Sequence, residues 1–255
     1  TLTFAQAEKY AGQVINSKQE VLNKMNISGS TVLKGGTIES CPAESLYGVG
    51  YNEPTSAAVS ETSMSLETAT SFSTIGGTIE AVHIWGVSAI NEGGAWNACT
   101  GEDPMYADVI FYENDGGELG DVAHTFSGLE ITMTPAGINL FGNPDFAVMF
   151  MSIDLPSNVE MTTGFVSVIG NEDAVTDCWL LWVNAPAATG GAIGWQLAEG
   201  TWAVTEAPFT LCLTGTPPAC PAPSNLQVVS QTMTTIEFTW DQTGSPTEWN
   251  IEYGE

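Results

Sequence analysis

The stretch Tyr106-Ala-Asp-Val-Ile-Phe-Tyr-Glu113, followed by Asn114-Asp-Gly-Gly117, decides the fold class of this chain. Side chains at positions 107, 109 and 111 would share one face of an extended strand, and those at 108, 110 and 112 the other. Asn-Asp-Gly-Gly is a strong signal for a tight hairpin turn. The stretch therefore predicts a β-strand that turns back on itself.

The same period-two pattern recurs between Cys41 and Gly215. It predicts these strands: Ser65–Phe72, Thr78–Val87, Tyr106–Glu113, Val122–Phe126, Glu130–Thr134, Asp145–Leu155, Gly164–Ile169, Asp177–Asn184 and Pro208–Thr214. Gly-rich and Asn-rich turns separate them, and no helical pattern intervenes. We therefore predict an all-β fold, an antiparallel β-sandwich of the jelly-roll type.

Residues 4–25 carry a helical pattern. Apolar side chains recur there at helical spacing: Phe4, Ala7, Ala11, Val14, Val21 and Met25. This N-terminal amphipathic helix either docks on its own β-domain or serves as a junction to a neighbour. We divide the chain into helix and connector (1–40), β-sandwich (41–215), a Pro-rich linker (216–223) and a short β-segment (224–255).

The distribution of charge excludes several classes of partner. The four basic residues are Lys9, Lys18, Lys24 and Lys34, and only 2 of the 30 acids lie in residues 1–34, so residues 35–255 hold 28 acids and no Lys or Arg. Such a surface repels phosphates, which argues against nucleic acids and anionic membranes as partners. No apolar run reaches the ~18–20 residues of a membrane span, which argues against membrane insertion.

Three segments near the end of the chain carry a family resemblance. Cys220-Pro-Ala-Pro-Ser-Asn-Leu226, Ile236-Glu-Phe-Thr-Trp240 and Trp249-Asn-Ile-Glu-Tyr253 resemble the opening of a fibronectin type III domain, in the style of large secreted proteins of Bacteroidota. The resemblance implies a truncated domain over 224–255. It also implies that Cys220 pairs with a cysteine further along the protein, which leaves it unpaired in this fragment.

The preceding region is similar to a sandwich module that often precedes such domains. Ile84-Trp85-Gly86, Ile110–Gly117 and Phe209-Thr-Leu-Cys212-Leu-Thr-Gly215 carry that likeness. The two resemblances together imply export by the type IX route, on proteins that range from adhesins to proteases and glycanases. We therefore expect a secreted protein, extracellular or on the cell surface.

Five cysteines without a C-x-x-C pair indicate disulfide bonds rather than zinc ligands. With Cys220 set aside, the other four allow three pairings. Cys41 and Cys99 lie in irregular segments, whereas Cys178 and Cys212 lie in predicted strands. We therefore predict the bridges Cys41–Cys99 and Cys178–Cys212.

No motif points to catalysis. Glu113, Asp115 and Glu118 fit the E-x-D-x-x-E pattern of jelly-roll glycosidases, but the hairpin turn between them would make the three side chains diverge. Neither His83 nor His124 lies beside a nucleophile-elbow glycine pattern. We predict no catalytic residue and no required cofactor.

Acidic loops at predicted strand ends favour an optional Ca²⁺, since carboxylates there are common Ca²⁺ ligands. Solvated turn residues are the alternative, and no EF-hand spacing is present. The residues proposed for Ca²⁺ are Asp103, Asp115, Asp121, Asp173 and Asp177.

The tryptophans divide into two groups. Those in strongly apolar strands are predicted to be core: Trp85, Trp179 and Trp182. Others lie in or beside Gly-rich loops, where they would stack on sugar rings or fold back as lids on the sandwich. With Tyr51 in another loop, the predicted ligand-binding residues are Trp96, Trp195 and Trp202.

Two functions remain compatible with the sequence. In the first, which we favour, the chain is a non-catalytic structural or adhesive module of a large secreted cell-surface or filament-forming protein. Its partners would be neighbouring domains or other copies of the same protein. In the second, it is a carbohydrate-binding accessory module of a secreted hydrolase, and its partner is an extracellular polysaccharide.

Overall fold

The computed structural model describes residues 40–43, 45–50, 56–74, 76–92, 95–99, 105–171, 178–185, 191–218, 224–231 and 236–241. The predicted helix over 4–25 lies outside the described residues, as do Tyr51, Asp103, Asp173, Asp177 and Cys220. The chain divides into two compact units at Pro217. Among the described residues, no helix has the length and apolar composition of a membrane span.

The first unit is built almost entirely from antiparallel strands, which confirms the predicted all-β class. The strands are β1 (Tyr47–Val49), β2 (Ala57–Val59), β3 (Glu67–Ser73), β4 (Thr78–Glu92), β5 (Ala95–Ala98), β6 (Met105–Asp115), β7 (Glu118–Asn139), β8 (Ala147–Val159), β9 (Thr163–Gly170), β10 (Trp179–Val183), β11 (Gly194–Ala198), β12 (Thr201–Val204) and β13 (Leu211–Thr216). Two 3₁₀ turns, Thr62–Met64 and Leu140–Gly142, interrupt them.

Within the described residues these strands form one 13-stranded sheet in the order β1-β13-β4-β8-β7-β6-β9-β3-β11-β12. β10 pairs with β2 and β4, and β5 pairs with β4. The long strand β7 pairs with β6 along its first part and with β8 along its last part. It therefore joins two half-sheets: the first contains β4 and β8, and the second contains β6, β9, β3, β11 and β12.

A β-bulge in the middle of β7 explains why the sequence predicted two strands there, Val122–Phe126 and Glu130–Thr134. Asp108 of β6 faces an extra residue of β7, because the register shifts between the pairs Ala107–Leu129 and Val109–Phe126. Gly128 has φ +66°, a value that suits glycine. Its N–H donates a hydrogen bond to Asp108 Oδ1 at 2.8 Å. The glycine therefore bends the strand without ending it.

The main hydrophobic core lies between the two half-sheets. Ala107, Val109 and Phe111 of β6 all face it and are fully buried, as the alternation predicts. Ile84 and Met151 contribute from the first half-sheet. Truncating a fully buried aromatic such as Phe111 to Ala typically costs about 3–5 kcal/mol.

A second core covers the opposite face of the first half-sheet. Trp85 of β4 alternates with Ile84, so the two side chains enter different cores. Trp179 of β10 packs in the second core and Trp182 in the main one, which confirms that the three tryptophans predicted as core are buried.

The two disulfide bonds join Cys41 to Cys212 and Cys99 to Cys178, so the predicted pairing was wrong. β5 and β10 flank β4, and Ala98 and Trp179 both pair with Ala89. Their neighbours Cys99 and Cys178 are therefore close. The pairing of strands brings them together, whereas the prediction had grouped the cysteines by whether they lie in strands or in irregular segments.

The other bridge lies over β1. Gly48 of β1 pairs with Cys212 of β13. A Cβ at Gly48 would lie 2.7 Å from Cys41 Sγ, so the missing side chain makes room for the bridge.

In the second unit the described residues form an antiparallel pair, β14 (Ser224–Gln231) and β15 (Ile236–Asp241). The rest of residues 219–255 lies outside the described residues.

Candidate functional site

Of the acids proposed for Ca²⁺, Asp115 and Asp121 are described, one at the end of β6 and one in β7. Asp115 pairs with Glu118 across the β6–β7 turn, where Gly116 and Gly117 have φ +67° and +102°. Asp121 is exposed on β7. Over the described residues, no group of three or more His, Cys, Asp or Glu is placed to hold a metal ion.

His83 contacts a serine, but the surroundings of this pair do not suit nucleophilic catalysis. Its ring nitrogens are hydrogen-bonded to Ser152 Oγ at 2.9 Å and Thr214 Oγ1 at 2.8 Å. A hydroxyl therefore occupies the position where a catalytic triad has an orienting carboxylate. Burial lowers the pKa of His83, and the ring stacks on Phe150 with centroids 5.4 Å apart. These contacts describe a packed histidine.

Trp96 is not available for stacking on a sugar, which corrects its prediction as a ligand-binding residue. It lies in β5 rather than in a loop, and only 3% of its surface is exposed. Its ring packs edge-on against Trp179 with centroids 5.5 Å apart. Trp96 therefore matches the alternative given for these tryptophans, a side chain folded back onto the sandwich.

Trp195 and Trp202, in contrast, lie on neighbouring strands and share one face of the second half-sheet. Both were expected in or beside loops, but they belong to β11 and β12. Trp195 pairs with Val204, and Leu197 pairs with Trp202. Side chains of paired residues point to the same face, and residues two apart on a strand do too. The alternating Gln196 is buried towards Val59, so the tryptophans lie on the outer face.

Two rings from other strands of the second half-sheet, β6 and β9, lie beneath these indoles. Trp202 contacts Tyr112 of β6 with centroids 6.0 Å apart and an interplanar angle of 79°. Trp195 contacts Phe165 of β9 at 6.5 Å and 86°. Phe165 is fully buried, whereas both indoles are half-buried. The indoles therefore cover the inner rings and keep part of their own surface in solvent.

Glu67 of β3 completes this cluster, which we call the aromatic face: Glu67, Tyr112, Phe165, Trp195 and Trp202. Glu67 pairs with Leu197, the residue that also pairs with Trp202. The Tyr112 hydroxyl donates a hydrogen bond to Glu67 Oε1 at 2.7 Å.

Burial dominates the titration of both groups. It raises the pKa of Glu67 above its ordinary value, although the hydrogen bond from Tyr112 opposes this. Burial, followed by the hydrogen bond to Glu67 and its charge, raises the pKa of Tyr112 far above the usual range. Tyr112 therefore stays a neutral hydrogen-bond donor. Glu67 places a carboxyl group against the Tyr112 hydroxyl.

The indole nitrogen of Trp195 adds to this description. It is buried and has no hydrogen-bond partner among the described residues. The exposed part of Trp195 is therefore its carbon surface rather than its N–H, which suits stacking more than hydrogen bonding.

The sequence singled out Trp195 and Trp202 but missed Glu67 and Tyr112 as site residues. The alternation of β6 placed Tyr112 on one face with Asp108 and Ile110 without showing which face is the core, and this was the available signal. The position of Glu67 depends on the pairing of β3 with β11, residues more than a hundred positions apart.

Comparison of the chain with known protein families, with curated proteins and with solved structures gives no match in any of the three.

Proposed function

We propose that this chain is a non-catalytic adhesive module of a secreted protein and that it binds polysaccharide on the aromatic face. The observation that carries the proposal is the position of Trp195 and Trp202 on one outer face beside Glu67. This favours the carbohydrate-binding alternative over the purely structural function that the sequence alone favoured.

The chemistry of the aromatic face matches that of a sugar ring. A pyranose presents an apolar face of C–H groups, which stacks on an indole, and a rim of hydroxyls, which donate to a carboxylate. The half-buried indoles provide the first kind of contact and Glu67 the second. Because neighbouring rings already hold the indoles, binding would immobilise few additional side chains.

Two further observations fit an extracellular adhesive module. The two disulfide bonds are compatible with an oxidising, extracellular location. The net charge of −26 keeps the module away from polyanions such as nucleic acids. Export by the type IX route, the jelly-roll class and the fibronectin type III likeness of 224–255 are further parts of this proposal.

Substitution of the two indoles tests the proposal. We expect Trp195→Leu and Trp202→Leu each to weaken retardation in affinity gels that contain an insoluble or soluble β-glucan or chitosan. Leucine keeps apolar cover over Phe165 and Tyr112 but removes the flat ring. The loss expected is about 1–3 kcal/mol per stacked ring, or about 5- to 150-fold in Kd.

Tyr106→Leu is the matched control, because Tyr106 is an exposed aromatic on β6, 44% exposed and about 20 Å along the strand from Tyr112. This variant should bind as the unmodified protein does. If no polysaccharide retards the protein, or if all three variants bind equally, the aromatic face is not the binding surface.

A second candidate function, assembly of copies into a filament or surface layer, rests on the asymmetry of charge. All four lysines lie in residues 1–34, and residues 35–255 hold 28 acids. Residues 1–34 of one copy could therefore bind the acidic sandwich of another, with the ~1,000 Å² expected of a specific interface. Deletion of residues 1–34 should then convert oligomers to monomers in light scattering. Monomers in both forms would exclude this function.

A further inference from the structure

We infer that the aromatic face prefers saccharides that carry a protonated amine, and that Glu67 determines this preference. The inference rests on the proposed function and specifies the class of saccharide.

Glu67 carries its carboxyl group beside the hydroxyl of Tyr112, which donates a hydrogen bond to it at 2.7 Å. A glutamine oxygen would accept that bond equally well. The negative charge is therefore not needed for this contact, and burial of a charge costs free energy. A positively charged ligand would be attracted by the carboxylate of Glu67 but not by a neutral amide in its place.

Glu67 has no Lys or Arg counter-ion in the described part of the chain. Residues 35–255 contain neither Lys nor Arg. None of the described residues can therefore neutralise Glu67 with a side chain of either kind, and a bound cation would have to come from outside this part of the chain. A protonated amine would make a charge-assisted hydrogen bond with the carboxylate, stronger than the bond from a sugar hydroxyl.

Aromatic rings lie close to the carboxyl group of Glu67. Tyr112 contacts both Glu67, through its hydroxyl, and the indole of Trp202. Aromatic faces attract cations, and tryptophan does so most strongly. An ammonium group beside Glu67 would therefore meet both a carboxylate and ring faces, whereas a uronate or sulfate group would meet repulsion from Glu67 and from the surface of net charge −26.

The experiment compares β-1,4-linked hexasaccharides that differ in one substituent. Calorimetry would measure binding of a chitosan hexamer, the fully N-acetylated hexamer, cellohexaose and a glucuronan hexamer. Each would be tested with the unmodified protein, Glu67→Gln and Glu130→Gln. Glu130 is exposed on β7, so its variant removes the same charge away from the aromatic face. A trimethylated chitosan hexamer keeps its charge at any pH and has no N–H, so at about pH 8 it measures the attraction of charge without a hydrogen bond.

We expect the chitosan hexamer to bind the unmodified protein about 10-fold more tightly than the N-acetylated hexamer does. Glu67→Gln should reduce this preference to about 2-fold or less, and Glu130→Gln should leave it within a factor of about 2. The trimethylated hexamer should lose affinity in Glu67→Gln but not in Glu130→Gln, and by less than the chitosan hexamer because it cannot donate a hydrogen bond. The glucuronan hexamer should not bind.

The outcomes separate the two levels of the proposal. If the neutral hexamers bind as tightly as the amines, or Glu67→Gln keeps the preference for amines, the inference fails and the proposed function stands. If no hexamer binds, both fail. If a synthetic peptide of residues 1–34 binds in place of every hexamer, the cation recognised is lysine and the assembly function replaces both.

Discussion

Removal of either disulfide bond should destabilise the sandwich by a similar amount. The perturbations are the paired variants Cys41→Ala/Cys212→Ala and Cys99→Ala/Cys178→Ala, each made in a Cys220→Ala background that also serves as the reference. The background prevents exchange with Cys220. Alanine avoids placing a new hydroxyl at Cys212, which is fully buried.

The magnitude follows from the loops that the bridges close. The bridges span 171 and 79 residues, for which the chain-entropy relation gives about 5 and about 4.5 kcal/mol. The shorter loop lies inside the longer one, so an intact Cys99–Cys178 bridge reduces the effective outer loop to about 90 residues. Each single removal should therefore cost at most about 4–5 kcal/mol, and the two losses should agree within about 1 kcal/mol.

Guanidinium unfolding followed by tryptophan fluorescence measures the loss, because Trp85 and Trp182 are fully buried in the sandwich. Peptide mapping without reduction checks the pairing, with a protease specific for Glu because Lys and Arg are absent after Lys34. A loss below about 1 kcal/mol for either variant would refute the entropic reasoning. A peptide that joins Cys41 to Cys99 would refute the pairing.

Three further predictions concern stability. Glu67→Gln should raise the melting temperature at neutral pH but not below about pH 4. Burial raises the folded-state pKa of Glu67 above 4.5, so the protonated side chain stabilises the fold at low pH, and this stabilisation is lost as pH rises through the folded-state pKa. A lower melting temperature at neutral pH than that of Glu130→Gln would contradict this. His83→Asn should lessen the loss of stability as pH falls below 6.5, since burial lowers the folded-state pKa of His83 and the unfolded chain takes up the proton first. Urea unfolding below pH 6.5 measures this. If the free energy of unfolding falls equally steeply with pH in His83→Asn and in the unmodified protein, the reasoning is wrong. Gly170→Ala should lower the free energy of unfolding in guanidinium by about 1–3 kcal/mol, because a Cβ there would clash with the carboxylate of buried Glu61 and lie 3.0 Å from Leu180 Cβ. A decrease under about 0.5 kcal/mol would contradict this.

The faces of single strands were predictable from the sequence because alternation is a local property. Ala107, Val109 and Phe111 share one face as their spacing predicts, and in the fold that face packs in the core. The β6–β7 turn over Asn114–Gly117 was also predictable, since the Asn114 side chain accepts a hydrogen bond from Gly117 N–H at 2.7 Å within the turn itself.

Short strands were missed where glycine dominates the local signal. Gly194 begins β11, and Gly200 lies in the turn before β12. With four or five residues each, these strands are held by their neighbours rather than by their own pattern: β11 pairs with β3, and β12 pairs with β11. Trp195 and Trp202 were therefore proposed as ligand-binding residues because they are tryptophans, but they were expected in or beside loops rather than in strands.

The aromatic face and the disulfide pairing depend on contacts between distant segments. Glu67 meets Tyr112 only because β9 pairs with both β3 and β6. Cys99 meets Cys178 only because β5 and β10 both pair with β4. No pattern within one segment carries the register of such pairings, which is why a single sequence did not predict them.

The most direct test of the central claim is a nuclear magnetic resonance titration of the tryptophan side chains with the chitosan hexamer. The chain has 8 tryptophans, and substitution to phenylalanine would assign the signals of Trp195 and Trp202. The account predicts that these two signals shift together along one binding curve, while those of the fully buried Trp85 and Trp182 stay in place. Binding that leaves Trp195 and Trp202 unshifted would contradict it.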